Sequence, residues 1–304
     1  MTRDRSHLLT EKVNPRTTDI DTLDNRAILE RIHAEDHRAF EAVGEVLEEI
    51  ARAVELVVRA FRSGGRLVYV GAGTSGRLGV LDAAECPPTF GTDPAMIQGA
   101  IAGGAEALVR SREGAEDVAA DGAAAVIKRL VGADDIVFGI AAGSTTPFVI
   151  GALEEALRRG AATVFLTCVP TGDVPIARQV DVVIAPLTGP EVITGSTRMK
   201  AGTATKLVLN MVTTTAMIRL GKTYGNLMID LQATSEKLED RGRRILRDLL
   251  GVSYEAAGEL LREAGGGVKT ALVMHRCGVG LAEAQRLLDE AGGFLRAVWE
   301  APAR

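Results

Sequence analysis

The segment Arg66–Gly76, with the sequence RLVYVGAGTSG, decides the fold class. The short apolar run at Arg66–Val70 has the length and composition of a buried β-strand. Three glycines in the pattern Gly-x-Gly-x-x-Gly follow at Gly71–Gly76, and a helical pattern then runs from Ser75 to Cys86. A strand, a glycine-rich turn and a helix in this order are typical of a βαβ unit. The segment therefore predicts a parallel sheet that is covered by helices.

The same alternation continues through the middle of the chain. Apolar runs predict four further strands, at Ala95–Ala102, Asp135–Ala141, Thr163–Val169 and Asp181–Pro186. Helical patterns lie between them, at Ala105–Leu130, Pro147–Arg159 and Ile176–Gln179. Strands that alternate with helices pair in parallel through right-handed crossovers. We therefore expect an α/β fold with a five-stranded, flavodoxin-like parallel sheet and helices on both faces.

Helical patterns also flank this region. A polar arm up to about residue 35 precedes an amphipathic helix at Ala39–Phe61, and Thr203–Leu220 predicts an apolar helix against the sheet. After Thr234 only helices are predicted, at Leu238–Leu250, Tyr254–Glu263, Val268–Arg276 and Leu281–Ala297. We expect an amino-terminal arm and helix over residues 1–55, an α/β domain over residues 56–222 and a small helical domain over residues 235–304.

The composition excludes several classes of protein. Hydrophobic residues make up 46% of the 304 residues, and 35 basic against 40 acidic side chains give a net charge of −5. A disordered chain would be poorer in apolar residues, and a nucleic-acid-binding surface would be basic. No apolar run reaches the ~18 residues of a transmembrane helix, and the amino-terminal segment lacks the apolar core of a signal peptide. From the charge and the apolar runs we expect no contact with nucleic acid or membrane. Because Cys86, Cys168 and Cys277 are widely spaced, we also expect a cytoplasmic protein without disulfides.

Two loops that follow predicted strands are rich in hydroxyl side chains. The candidate ligand residues are Gly73, Thr74, Ser75 and Gly76 in the first loop and Ser144, Thr145 and Thr146 in the second. Backbone N–H groups and hydroxyls at a helix N-terminus suit an anion, above all a phosphate monoester. A tight turn with hydroxyl caps remains the alternative for each loop alone. A dinucleotide site is disfavoured, because no acidic residue ends the second predicted strand.

A third segment, Thr194–Thr203, leads into the predicted apolar helix. Arg198 and Lys200 could neutralise an anion there, and the Ser196 hydroxyl could donate to it. Two solvated cations at the start of a helix are the alternative.

Acidic side chains that could serve acid–base chemistry occur in two predicted helices. Asp82 and Glu85 precede Pro87 and Pro88, which we expect to end the first helix. Glu85 would then lie in the last turn, where the helix dipole raises the pKa of a carboxyl group. Glu113, Glu116 and Asp117 fall inside the predicted helix Ala105–Leu130. A surface carboxylate at the helix end is the alternative for Glu85, and a solvated acidic helix face is the favoured interpretation of the second group.

A metal site is not expected. His33 and His37 stand four residues apart and could share a helix face as ligands. No third ligand stands near them in the sequence, so a solvated helix face is the favoured interpretation.

Four stretches closely resemble the N-acetylmuramic acid 6-phosphate etherases, a family of sugar-isomerase (SIS) domain proteins. They are Val70–Gly91, Glu113–Asp117, Gly189–Met211 and Tyr224–Leu238, and the strings ECPPTFG and GSTRMK within them are the most specific. The resemblance spans nearly the whole chain. It has one departure, because the family usually reads Ser-Gly-Arg-Thr-Pro where this chain reads Gly-Ser-Thr-Thr-Pro at Gly143–Pro147.

The resemblance implies a lyase without a cofactor or metal. Such an enzyme cleaves the lactyl ether of a phosphorylated amino sugar, N-acetylmuramic acid 6-phosphate, to N-acetylglucosamine 6-phosphate and D-lactate during recycling of cell-wall sugar. It also implies that Glu85 and Glu116 are the two catalytic carboxylates and that the hydroxyl loops bind phosphate. Proteins with SIS domains pair as homodimers, and the apolar helices Ala39–Phe61 and Thr203–Leu220 offer more hydrophobic surface than one sheet covers. Aldose–ketose isomerases and non-catalytic sugar-phosphate sensors share the fold and remain the alternatives.

Overall fold

The computed structural model describes residues 5–172, 174–232 and 235–300. Thr234, where we expect the helical domain to begin, and residues 301–304 at its end lie outside the described residues. The contacts divide the chain into two compact units. The first unit contains the chain up to Ala84 and Pro94–Thr213, and the second contains Glu85–Asp93 and the chain from Thr214 onward.

The first unit is built on one parallel sheet. Its strands lie in the order β2-β1-β3-β4-β5 and span β1 Leu67–Gly71, β2 Ile97–Ile101, β3 Ile136–Ile140, β4 Ala162–Leu166 and β5 Val182–Ile184. The strands are in phase, since Leu67 pairs with both Ile97 and Ile136. β1 and β3 are buried along their whole length, as expected for central strands with helices on both faces. The predicted five-stranded, flavodoxin-like α/β sheet is confirmed.

Six helices surround or continue from this sheet. They are α1 Asn25–Gly44, α2 Leu47–Arg62, α3 Gly73–Phe90, α4 Ala119–Lys128, α5 Pro147–Arg158 and α6 Lys200–Arg219. The expectation of a polar arm up to residue 35 and one helix at Ala39–Phe61 is wrong. Asp24 caps α1 by accepting from the Ala27 N–H, and the helical pattern is interrupted after Gly44, a poor helix former.

Three further predicted helices differ from the expectation. α3 does not stop at Pro87 and Pro88, because the next turn still closes through a hydrogen bond from the Gly91 N–H to the Pro87 carbonyl. The predicted helix Ala105–Leu130 begins instead with two 3₁₀ turns, Ala105–Leu108 and Ala115–Asp117, before α4. Glycines with positive φ precede both turns and interrupt a continuous helix. The segment at 176–179 is likewise a 3₁₀ turn, Pro175–Arg178.

The second unit has its own apolar core. Its helices are α7 Glu236–Leu250, α8 Tyr254–Glu263, α9 Val268–Cys277, α10 Leu281–Glu290 and α11 Leu295–Glu300. Leu231, Leu246 and Leu272 are fully buried in this core. The last predicted helix, Leu281–Ala297, is two helices because Gly292 and Gly293 take positive φ values between them. Across the described ranges, no helix combines the length and the apolar character needed to cross a membrane.

Candidate functional site

The first hydroxyl loop joins β1 to α3 by a very close backbone approach. A Cβ on Gly76 would lie 2.7 Å from the carbonyl oxygen of Gly71, so only glycine fits there. Gly73 starts the helix with φ +53° and is exposed, while Thr74 and Ser75 are half-buried. The first N–H groups of α3 have no acceptor within the helix. The Gly76 N–H donates to the Ala72 carbonyl at 3.1 Å, so the loop offers the earlier backbone N–H groups and two hydroxyls at one helix N-terminus.

The second loop contains an unusual serine. Ser144 has φ +58°, which is left-handed backbone, and only 3% of it is exposed. Its Oγ has no hydrogen-bond partner among the residues that the structure describes. Thr146 occupies the N-cap position of α5, but its side chain makes no capping hydrogen bond. The hydroxyls at 144 and 146 are therefore not used to cap α5.

The amino-terminal segment lies beside this loop and beside the third segment. The 3₁₀ turn Leu9–Glu11 contains Thr10, whose Oγ1 is buried and has no partner within the described chain. A Cβ on Gly143 would lie 3.7 Å from that oxygen. The Thr10 carbonyl accepts a hydrogen bond from the Gly195 N–H at 3.2 Å. One residue thus contacts both the second and the third predicted ligand segments.

The third segment also contacts the first loop. A Cβ on Gly202, in the first turn of α6, would lie 3.4 Å from Cγ2 of Thr74. Ser196 is half-buried and Arg198 is exposed just before this helix. Lys200 is different, because it is fully buried and its Nζ donates to Glu35 at 2.6 Å. The three segments lie together in the first unit, and the Lys200 amine is engaged by another side chain.

A cavity of about 190 Å³ opens beside the first loop. It is lined by the loop residue Gly73 and by charged or polar side chains, namely Arg77, Ser111, Arg112, Glu113 and Glu116. Glu116 lies on the 3₁₀ turn Ala115–Asp117 rather than inside a long helix, and it is exposed. The structure therefore brings one of the two candidate carboxylates to the same cavity as the phosphate-loop candidate Gly73.

Glu85 is exposed on α3, in the part of that helix that belongs to the second unit. Because α3 continues to Phe90, Glu85 does not lie in its last turn, and the argument from the helix end does not apply. The segment that follows is held closely within its unit. A Cβ on Gly91, which has φ +61°, would lie 2.3 Å from the carbonyl oxygen of Asp230.

Asp82 is a buried carboxylate one turn before Glu85. It accepts hydrogen bonds from the Tyr69 hydroxyl at 2.9 Å and from the Thr213 hydroxyl at 3.2 Å. Burial raises the pKa of Asp82, and these two donors act in the opposite direction. The side chain ties α3 to β1 and α6 next to the loop of Gly73.

Several residues of this region were not found from the sequence. Arg77 lines the cavity four residues after Gly73, so helical spacing alone could have placed it on the same face. Arg112 lines it too, and no periodic pattern marks that residue. Thr10 and Glu35 carry no local sequence signal, because the residues that they contact are distant in sequence.

Within the described residues no group of three or more His, Cys, Asp and Glu side chains could hold a metal. The rings of His33 and His37 contact each other, with their centroids 4.8 Å apart.

Comparison with known proteins identifies close relatives along the whole chain. The chain is 53% identical over 294 residues to an N-acetylmuramic acid 6-phosphate etherase of Trichormus variabilis, covering 97% of this chain and 95% of the relative. It is 55% identical over 290 residues to one of Salinibacter ruber, covering 95% and 93% of the two chains. The relative from Synechocystis is 50% identical over 298 residues, covering 98% and 97%.

A family model matches part of the chain, and a solved structure resembles it weakly. Residues 49–157 match the model of the glucokinase regulatory protein N-terminal SIS domain. A structure of phosphoheptose isomerase from Neisseria gonorrhoeae is 18% identical, with a TM-score of 0.49, and covers 64% of this chain and 98% of that chain. That likeness adds nothing to what the strand order establishes.

Proposed function

The chain belongs to the N-acetylmuramic acid 6-phosphate etherase family, and we propose that it cleaves the D-lactyl ether of N-acetylmuramic acid 6-phosphate. The enzyme is a carbon–oxygen lyase, and its products are N-acetylglucosamine 6-phosphate and D-lactate. The observation that carries this function is 50–55% identity to proteins of that name over at least 95% of the chain. The reaction serves the recycling of cell-wall sugar.

The chemistry needs one base and one acid. In the open-chain sugar, the C1 aldehyde acidifies the C2 proton, and the lactate oxygen on C3 is β to that carbonyl. A base removes the C2 proton while an acid protonates the departing lactate oxygen, which leaves an unsaturated aldehyde. Water then adds at C3, and a proton returns to C2. Two positioned carboxyl groups suffice for these proton transfers.

Glu116 is the proposed base, and Glu85 is the proposed acid. The assignment follows the match of EGAED and ECPPTFG to the motifs of the family. The place of Glu116 supports its part of the assignment, because it lines a cavity with Gly73, Arg77 and Arg112. Two guanidinium groups beside the carboxylate suit a substrate that carries phosphate and lactate charges.

The phosphate is proposed to lie on the hydroxyl loops. Gly73, Thr74 and Ser75 supply donors from the first loop, where Gly76 allows the close approach of the backbone. Ser144, Thr145 and Thr146 supply donors from the second loop, and Ser196 and Arg198 supply them from the third segment. The buried Oγ of Ser144 supports this proposal, because a desolvated hydroxyl without a partner is costly unless a ligand accepts its hydrogen bond. The exposed start of α3 supports it as well, since helix N-termini bind phosphate groups.

Two further parts of the proposal concern the setting of the enzyme. We place it in the cytoplasm, because the odd number and wide spacing of its cysteines fit a reducing compartment. We also propose a homodimer, supported by large apolar side chains that remain exposed on α1 and α2, including Leu29, Phe40 and Leu47.

One incubation tests the function against its alternatives. The purified chain is mixed with N-acetylmuramic acid 6-phosphate, and D-lactate is measured with a lactate dehydrogenase. Release of D-lactate together with N-acetylglucosamine 6-phosphate is the expected result. A ketose product would identify an isomerase, and tight binding of the sugar phosphate without turnover would identify a sensor, the class suggested by the match at residues 49–157. The unphosphorylated sugar serves as the control for the phosphate site.

A further inference from the structure

The loop of residues 185–199 carries Ser196 and Arg198 but contains neither helix nor strand. Such a segment needs contacts from elsewhere to hold two ligand side chains at fixed positions. The structure supplies them through a buried ion pair at the end of the loop and through the amino-terminal segment.

The ion pair joins Glu35 of α1 to Lys200, the first residue of α6. Lys200 Nζ donates to Glu35 Oε2 at 2.6 Å, and the two side chains are 0% and 3% exposed. The Glu35 carboxylate also accepts from Asn14 Nδ2 at 2.9 Å and from the Arg16 guanidinium through two N–H groups. These donors, first that of Arg16, hold the pKa of Glu35 well below its ordinary value although burial acts in the opposite direction. The charged carboxylate therefore binds both the amino-terminal segment, through Asn14 and Arg16, and the start of α6, through Lys200.

The amino-terminal segment is hydrogen bonded along the loop at three points. Asn14 Nδ2 donates to the Pro190 carbonyl at 3.1 Å. The Thr17 hydroxyl donates to the Val192 carbonyl at 2.9 Å, and the Gly195 N–H donates to the Thr10 carbonyl at 3.2 Å. Asn14 thus binds the loop and the Glu35 carboxylate with one amide group.

A second buried carboxylate closes the loop on itself. Glu191 is fully buried and accepts from the backbone N–H groups of Lys200 and Ala201 at 3.0 and 2.9 Å. It therefore fixes the start of α6 to residue 191, while Lys200 fixes the same turn to α1. Residues 192–199 lie between these two fixed ends.

We infer that Glu35 and Lys200 form a positioning pair that fixes residues 192–199 and thereby the places of Ser196 and Arg198 at the sugar phosphate. The inference rests on the proposed function for its consequence on substrate binding. Lys200 is therefore a positioning residue and not a ligand of the anion, because its ammonium group is fully buried and bonded to Glu35 and acts through the loop. Glu35 enters the site in the same indirect way, from a helix that carries none of the proposed ligand residues.

The decisive variant is Lys200→Met, which removes the charge and keeps a long unbranched side chain. Glu35 still has Arg16 and Asn14 as partners, so the buried carboxylate does not become unpaired. Thr17→Val is a milder second variant that removes the 2.9 Å hydrogen bond to the Val192 carbonyl together with a long one, 3.5 Å, to the Asn14 carbonyl. Asp135→Asn is the matched control, since the buried Asp135 pairs with the half-buried Arg66 at 2.7 Å at the amino-terminal ends of β3 and β1.

Two readouts separate positioning from a merely structural role. We expect Lys200→Met to raise KM for N-acetylmuramic acid 6-phosphate about tenfold, with kcat within about twofold, because Ser196 and Arg198 bind the substrate without taking part in the proton transfers. Amide hydrogen exchange of residues 192–199 should become about tenfold faster, since the loop opens locally without global unfolding. Asp135→Asn should lower Tm and leave both readouts unchanged.

The outcomes distinguish the competing explanations. A raised KM with unchanged exchange at 192–199 would mean that Lys200 touches substrate, and it would overturn the inference, as would no change in either readout. If Lys200→Met does not fold, Thr17→Val decides in its place, with faster exchange at 192–199 supporting the inference and unchanged exchange refuting it. If the unmodified chain releases no D-lactate, the proposed function fails, while the exchange readout still tests the positioning.

Discussion

Replacement of Ser144 by glycine should stabilise the ligand-free protein and weaken substrate binding at the same time. Ser144 has φ +58° and is buried, and its Oγ is without a partner in the described part of the chain. A non-glycine residue in left-handed backbone costs about 1–2 kcal/mol. Because glycine makes the unfolded chain more flexible, it also destabilises the fold by about 0.4–1 kcal/mol, which offsets part of the relieved strain. The backbone contribution should therefore stabilise the variant by roughly 0.5–1 kcal/mol.

The hydroxyl contributes separately. A buried polar group without a hydrogen bond costs roughly 1–3 kcal/mol, so its removal should also stabilise the ligand-free chain. Ser144→Ala isolates this effect, because alanine lacks the hydroxyl but keeps the strained backbone. Ser144→Gly should exceed Ser144→Ala by the backbone contribution alone. Thermal unfolding without ligand measures both, and a difference of about one to two degrees in Tm is expected between them.

The same hydroxyl should cost affinity when it is lost. A hydrogen bond to a charged group contributes about 1.5–3 kcal/mol, which corresponds to a roughly ten- to hundredfold increase in KM for both variants. A Ser144→Gly protein that is less stable than the unmodified chain would refute the strain argument. An unchanged KM in both variants would refute the assignment of Ser144 to the phosphate.

Four further predictions concern the site and the assembly. Ser75→Ala should raise KM roughly ten- to hundredfold through loss of one donor to phosphate, with an unaltered circular dichroism spectrum, and an unchanged KM would remove Ser75 from the site. Glu116→Gln should abolish both D-lactate release and exchange of the C2 proton in deuterated water, whereas Glu85→Gln should slow lactate release more than exchange; the opposite pattern would reverse the two roles. The lowered pKa of Glu35 contributes stability that is present above the ordinary pKa of Glu, roughly 4.3, and is lost as pH falls below it. When the free energy of unfolding in urea is plotted against pH, Glu35→Gln should therefore reduce the slope at acid pH. An equal slope in both proteins would contradict this linkage. Sedimentation at micromolar concentration should give a dimer, and a monomer there would exclude the proposed homodimer.

The strands could be predicted closely because their signal is local. Apolar runs bounded by Gly, Asp and Pro placed β1 to β5 within a few residues of their positions, and the alternation with helices predicted their parallel pairing. Helix ends were harder. Pro87 and Pro88 do not end α3, although each lacks a backbone N–H, and the turn after them closes through the hydrogen bond from the Gly91 N–H to the Pro87 carbonyl. Gly114 interrupts a helix that the acidic and alanine-rich sequence otherwise favours.

The parts of the candidate site that the sequence indicates are those that directly follow a strand. The loops at Gly73–Gly76 and Gly143–Thr146 follow β1 and β3, and the carboxyl ends of neighbouring parallel strands lie at one edge of a sheet. The amino-terminal segment was not predictable, because its contacts join residues far apart in sequence. Asn14 and Pro190 are 176 residues apart, and Glu35 and Lys200 are 165 apart. A single sequence carries no periodic or turn signal for pairs at that separation.

The burial of Lys200 changes where the positive charge for an anionic substrate comes from. The chain has a net charge of −5, so its overall field does not attract a phosphate. The Lys200 charge is neutralised by Glu35 within the protein, and Arg16 is engaged by the same carboxylate. Arg112 of the cavity is paired in turn with Glu106 at 3.6 Å. The remaining sources are Arg198, Arg77 and the amino-terminal ends of α3 and α5. Fixed N–H groups at helix ends do not change their protonation with pH, whereas a buried amine without its partner would lose its proton readily. A phosphate site built on helix ends and arginines therefore keeps its positive potential while nearby carboxylates exchange protons with the sugar.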